Sequence, residues 1–383
     1  MKLSKYEALL QSMTVRSVCF MKEIPNIEDI SLRIDQLHPK FPWIRYYIDN
    51  GYYVEGNGPK IYEMVIEAND KMEFVSKIFS TCFSTDFCSI WIIRMGISRS
   101  GSILVITNHS STDGPNLASF MNDLVSDRPI IPSSRPDLNM ISINNSICNQ
   151  ILDTKGIFTI PPNPSPNDIS PCLQAKCIQI GIEKFINVCK VKGLKPQSLL
   201  SSLEIYCIMR VFQRKEPSKV ISMISVNTRS LFGFEAESPI CASTPVYTSV
   251  DVNNESTVYS IASAIQSQIT ELIPKHAQSH FISYANGNYI YYPSTSNITN
   301  IGKIESPISD IWIQGGNNAY HDSMKPLRSF TFHCLTCNDQ LNMTFTYQIP
   351  GCEDSFVQNM ISTMEKALAS IEEVLDMKPI GSF

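Results

Sequence analysis

The tightest constraint on the fold is a strand–turn–helix passage centred on His109. Residues 102–106 form an apolar run that reads as a buried strand, and residues 117–124 carry the spacing of a short amphipathic helix. Between them stands Thr107-Asn108-His109-Ser110-Ser111-Thr112-Asp113-Gly114-Pro115-Asn116, with Gly and Pro marking the turn. The spacing predicts that a strand ends at His109 and a helix starts just past Asp113. A histidine fixed at a strand end can face a cleft and move protons near neutral pH. Asp113 has two readings: an N-cap that accepts backbone N–H groups of the next turn, or a carboxylate that holds the histidine loop in shape. Alone, the pattern equally suits a structural histidine beside a capping aspartate.

In chain order, residues 27–37 place Ile27, Ile30, Ile34 and Leu37 on one helical face, and His38-Pro39 ends it. Residues 43–47 and 52–54 read as strands joined through Asp49-Asn50-Gly51. A strand at 61–66 and a helix at 71–79 follow, and 90–95 with 102–106 forms a hairpin entering the motif. Residues 126–171 are rich in Pro, Ser and Asn, with Pro161-Pro162-Asn163-Pro164-Ser165-Pro166 as the clearest punctuation. A connector of this length reads as a crossover between lobes or a lid. The second half predicts helices at 171–191 and 196–212, strands at 220–226 and 245–252, and a helix at 259–273. A Gly/Asn/Ser-rich region at 286–318, a hairpin at 330–335 and 341–347, and a final helix at 354–375 complete it. This mixture describes an α/β protein of two lobes, 1–168 with the histidine motif and connector, and 169–383.

Composition narrows the function. The net charge is −5 and no run of Lys or Arg suggests a phosphate-tracking face, which argues against nucleic acid. No apolar stretch approaches a membrane span, and Met1-Lys2-Leu3-Ser4 lacks the apolar core of a secretory leader, so a cytoplasmic location is expected. The twelve Cys form no regular framework and read as reduced, buried thiols. Cys334 and Cys337 fall in a probable strand with their side chains on opposite faces, unsuited to zinc. His276 and His280 have the helical spacing of a metal pair without its glutamate, and read as surface or lining residues. No metal is expected.

The motif His109-Ser-Ser-Thr-Asp113-Gly114, between strand and helix, resembles the HxxxDG motif of the CoA-dependent acyltransferase superfamily. That superfamily includes alcohol acetyltransferases, polyketide-associated acyltransferases, BAHD acyltransferases and condensation domains of peptide synthetases. The helix ending in His38-Pro39, followed by Arg45, is similar to the family's opening element. Ser225-Val226-Asn227-Thr228-Arg229 resembles the arginine-ended strand that opens the second lobe's side of the site. Thr299-Asn300-Ile301-Gly302 is similar to the Ser-Asn-Leu-Gly turn of the alcohol acetyltransferase and polyketide-associated branches. Two departures stand out. Asn108 replaces the first of the two consecutive histidines many members carry, and the plant-type Asp-Phe-Gly-Trp-Gly signature is absent.

The resemblance implies two similar chloramphenicol-acetyltransferase-like lobes with mixed sheets, meeting at a central active-site tunnel. It implies acyl transfer from acyl-CoA, as co-substrate rather than resident cofactor, to an alcohol or amine acceptor. His109 would act as general base, Asp113 would be structural and paired with Arg229, and Gly114 would allow close approach or a tight turn. Asn300 would polarise the carbonyl or orient the acceptor. A monomer is expected. Two alternatives are a two-lobed binding or scaffold protein that has lost catalysis, and a condensation-type enzyme whose acyl donor rides on a carrier protein.

Overall fold

The computed structural model describes residues 1–11, 13–81, 83, 87–126, 129–138, 150–158, 174–235, 238–285, 292, 294–306, 310–317, 330–347 and 354–380. The Pro161–Pro166 stretch and the lobe division at 168 lie outside these residues. The chain opens with α1 (Lys5–Leu10) and β1 (Met13–Met21), then α2 (Ile27–Leu37), whose Ile30, Ile34 and Leu37 are buried. The hairpin β2 (Tyr46–Asp49) and β3 (Tyr52–Glu55) precedes β4 (Lys60–Ile66), α3 (Lys71–Ser80), β5 (Cys88–Met95), β6 (Gly101–Asn108) and α4 (Gly114–Leu124). The second half runs β7 (Gln174–Gly181), α5 (Glu183–Lys192), α6 (Pro196–Val211), β8 (Ser218–Asn227), β9 (Ser243–Val252), α7 (Val258–Leu272) and α8 (Gln278–Ala285). It ends with β10 (Ser296–Ile304), β11 (Asp310–Asn317), β12 (Phe330–Cys337), β13 (Gln340–Tyr347), α9 (Asp354–Ala369) and α10 (Ile371–Val374).

These strands form two mixed sheets, ordered β11–β1–β6–β5–β4 and β7–β13–β12–β10–β8–β9. One face of the first sheet packs with α2 and α4, burying Val105, Ile313, Leu117 and Phe120, while Val18, Leu104 and Ile106 on the other face meet α3. In the second sheet, Ile298, Phe332 and Cys334 point to a core shared with α5, α6 and α9, and Val220 and Ile224 to one shared with α7. Each such side chain, fully buried, contributes about 1.5–3 kcal/mol relative to exposure. Strand β11 comes from the C-terminal half yet completes the first sheet, antiparallel to β1. Its outer edge is tied to the second sheet: the Asn342 amide donates to the Ile311 carbonyl at 2.8 Å, and the Gly315 N–H donates to His333 Nε2 at 3.1 Å.

Several sequence expectations are corrected. The helix expected at 171–191 is instead β7 followed by α5, because Ala175 and Cys177 alternate into the core against α3. The strand expected from Trp43 is a 3-10 turn over Pro42–Arg45, since Pro42 favours a helical start and Trp43 and Ile44 are both buried. The polar region 286–318 holds β10 and β11. Asn300, expected in a turn, lies in β10 at a bulge spanning Asn300 to Lys303. The final helix breaks at Ser370. His280, expected at the surface or as a lining residue, is buried: Nε2 accepts the Gln150 N–H at 3.1 Å and Nδ1 lies 3.1 Å from the Pro245 carbonyl. Neither α1 nor β1 was legible in advance.

Candidate active site

Strand β6 is buried along almost its whole length, so its end is a rigid platform for His109. Two backbone bonds fix the exit: Asn108 N–H to Phe87 O and His109 N–H to Met13 O, both 2.9 Å. Helix α4 begins five residues later because Asp113 caps it, accepting the Asn116 N–H at 3.2 Å, and Pro115 suits its first turn. The turn between packs three carbonyls inward, and each has a donor. Tyr53 Oη donates to Ser110 O at 2.7 Å, Arg135 to Ser111 O at 2.8 Å, and His109 Nδ1 to Thr112 O at 2.9 Å.

The last of these sets the chemistry of the ring. A carbonyl only accepts, so Nδ1 carries a proton in both charge states of the ring, and Nε2 is the atom that gains and loses one. Cys241 Sγ lies 3.7 Å from the same Nδ1. Burial disfavours the imidazolium, but the Cys241 sulfur, the Thr112 carbonyl and Asp113 outweigh it and raise His109 to about 9. The half-buried ring is therefore a strong base.

Asp113 and Arg229 meet in a forked ion pair, with both N–O distances 2.9 Å and both side chains only 1% exposed. Asp113 also accepts the Ala242 N–H at 3.0 Å and the Ser243 hydroxyl at 3.2 Å. Burial would raise its carboxyl, but the Arg229 guanidinium and these N–H donors hold it below the usual range. Arg229 sits just past β8 and further donates to the Ser238 and Ile240 carbonyls, so the pair knits the motif loop to segment 238–243 of the second half. Gly114 faces Ile301 of β10: a Cβ there would stand 3.0 Å from Ile301 Cδ1, so the close approach is what the glycine allows.

The structure thus brings His109, Asp113, Gly114 and Arg229 together. It does not bring Asn300 to them. Asn300 pairs with Cys334, on the helix-covered face of the second sheet, and its Oδ1 accepts the Gly302 N–H at 3.1 Å. There it lines a cavity of about 580 Å³ with Phe185, Leu200 and Leu341. Arg135 was missed from sequence. It pairs with Glu7 at 2.5 Å, both side chains under 5% exposed, stacks 4.6 Å over Tyr53, and donates to the carbonyls of Ser111 and Pro239. No local pattern marks it, because its partners come from α1, the motif loop and segment 238–243. Among the described residues, no group of three His, Cys, Asp or Glu could hold a metal ion, and no helix is long and apolar enough to cross a membrane.

No protein-family model and no curated protein matches the sequence. Solved structures do match. Polyketide synthase associated protein 5 from Mycobacterium tuberculosis aligns with TM-score 0.62 at 11% identity, over 97% of this chain and 98% of that one. The first condensation domain of the calcium-dependent antibiotic synthetase, in complex with a substrate analogue, aligns with TM-score 0.65 at 9% identity, over 99% and 97%. F. graminearum TRI101, complexed with coenzyme A and deoxynivalenol, aligns with TM-score 0.61 at 10% identity, over 94% and 98%. At such identities the likeness speaks for architecture, and it runs the length of both partners. The chain has the two-lobed fold shared by condensation domains and CoA-dependent acyltransferases, the fold that the histidine motif implied.

Proposed function

We propose that this protein is an acyltransferase that moves an acyl group from an acyl-CoA thioester to an alcohol or amine acceptor, with His109 as general base. The observation that carries the reading is the His109 Nδ1–Thr112 carbonyl bond beside the buried Asp113–Arg229 pair. It leaves Nε2 as the basic atom, on a loop held at three consecutive carbonyls. Asp113 is turned to Arg229 and takes no part in the proton path, so it acts through the shape of the loop.

In the reaction, Nε2 takes the acceptor's proton as its oxygen or nitrogen attacks the thioester carbonyl. The tetrahedral intermediate then collapses, the C–S bond breaks, and the imidazolium returns the proton to the departing CoA thiolate. Proton transfer of this kind contributes about 10²–10⁴-fold. The fold's relatives supply a second reading for the donor, since condensation domains share it: the same steps would serve an acyl group on a carrier protein.

The test is thiol release from a panel of acyl-CoAs with alcohol and amine acceptors, comparing wild type with His109→Ala. Acceptor-dependent turnover should fall by about 10²–10⁴-fold in the variant. Its circular dichroism spectrum should be unchanged, because His109 is half-buried and outside the apolar cores. Turnover indifferent to His109 would sink the proposal.

A further inference from the structure

The face of the second sheet that looks toward the first lobe carries a polar row that the proposed mechanism does not use. Alternation along β8 and β10 defines it. Ile224 and Ile298 are buried toward the helices, whereas Ser225, Asn297 and Thr299 lie on the opposite face and stay half-exposed. Ile301, next on this face of β10, is the residue that meets Gly114 of the histidine motif. The row therefore starts one strand step from the motif. In β12, Thr331 and His333 stand opposite Asn297 and Thr299, as the register Ile298↔Phe332 and Thr299↔His333 requires.

Most of the row is internally bonded. Ser225 and Thr299 share a hydrogen bond at 3.2 Å, and the Asn297 amide donates to Thr331 Oγ1 at 2.9 Å. Two atoms are not. His333 is 8% exposed, and its Nε2 accepts the Gly315 N–H, which puts the ring proton on Nδ1. That Nδ1–H finds no acceptor among the described residues, and Asn297 Oδ1 finds no donor. A stranded donor and a stranded acceptor on adjacent strands are costly unless something joins them. Burial holds the His333 ring neutral, down to about 3, with the charge of His109 nearby acting the same way, so Nδ1–H remains a donor across the working pH range.

We infer that His333 and Asn297 form an acceptor subsite that recognises a second hydroxyl on the acceptor molecule. A hydroxyl placed between the two strands would accept from His333 Nδ1–H and donate its proton to Asn297 Oδ1. The word acceptor rests on the acyl-transfer reading above. The substrate class is then a diol or polyol rather than a simple aliphatic alcohol.

The test compares straight-chain alcohols of four to eight carbons with the diols carrying a second hydroxyl at successive positions, first by calorimetric binding to the full-length protein and then by thiol release from acetyl-CoA. One diol spacing should bind and turn over about 10–100-fold better than the matching alcohol, as two hydrogen bonds to buried groups provide. His333→Leu removes the donor, and Asn297→Leu removes the acceptor. In either variant the diol-to-alcohol ratio should fall toward one, chiefly through KM. His333→Asn, which keeps a donor near Nδ1, should retain part of it. Equal binding of diols and alcohols by the wild type, or a ratio that survives both substitutions, overturns the inference. Selective diol binding with no thiol release would leave the subsite standing and remove the acyl-transfer reading instead.

Discussion

Replacing Arg229 by Met gives the sharpest energetic test of the pair that holds the histidine loop. Arg229→Met keeps much of the aliphatic volume and removes the guanidinium, and with it two charge-assisted bonds of 2.9 Å to Asp113. The carboxylate then remains 1% exposed with only three neutral donors, from Asn116, Ala242 and Ser243. Breaking one side of such a buried pair costs about 3–5 kcal/mol. The double variant Asp113→Leu/Arg229→Met strands no charge, so it should lose only the α4 cap and the tie to segment 238–243, about 1–3 kcal/mol. The sign with pH follows from the lowered carboxyl. The pair's contribution is complete above the ordinary carboxylate range and fades as pH falls through the folded value. The gap between wild type and Arg229→Met should therefore be widest near neutrality and narrow in acid. Urea unfolding followed by tryptophan fluorescence measures it, since Trp43 and Trp312 are both fully buried. A loss under about 1 kcal/mol at pH 7, or a double variant that loses the sum of the singles, would refute the reasoning.

Further outcomes follow from the same geometry. With His109 raised to about 9, kcat/KM should climb with pH toward a midpoint near that value as Nε2 loses its proton; Cys241→Ala removes the neighbouring sulfur and should move the midpoint down. Arg135→Met strands the buried Glu7 carboxylate and frees the carbonyls of Ser111 and Pro239, so calorimetry should show a loss of about 3–5 kcal/mol, with kcat falling alongside. Glu204 is fully buried with Ser296 and Asn297 as partners, and burial pushes its carboxyl up to about 7. A raised carboxyl lowers stability as pH climbs above its unfolded value near 4, so Glu204→Gln should stabilise by about 2–3 kcal/mol at pH 8 and by nothing near pH 4. A pH-independent effect of that substitution would show that ionisation is not the cause.

The sequence was most informative where chemistry and local geometry coincide. His109, Asp113 and Gly114 sit within one strand–turn–helix passage, and Arg229 ends a strand with a readable pattern, so all four could be named together. Asn300 could be named but not aimed, because which face of β10 it takes depends on register with Cys334. Strands β10 and β11 hid in polar composition, since β10 exposes one face to the space between the lobes and β11 ends in Gly315, Gly316 and Asn317. Arg135 had no signature at all, because Glu7, its charge partner, is 128 residues away, and its other hydrogen bonds go to backbone carbonyls. His280 misled in the opposite direction: helical spacing with His276 suggested surface or lining residues, whereas its ring is spoken for by Gln150 and Pro245.

The route of β11 bears on how this chain could be cut and rebuilt. A fragment ending in the proline-rich connector would keep β1 paired with β6 but without β11, leaving unmatched on that side the register from Met13 to Phe20. That bare edge would recruit whatever strand it met, including its own copy in another fragment. The complementary fragment would carry 310–317 still tied to the second sheet by Asn342 and His333 but without β1 as its ladder partner. Mixing the two should restore the protein by strand complementation, at a rate second order in fragment concentration. A short peptide covering 310–317 should compete with that recovery.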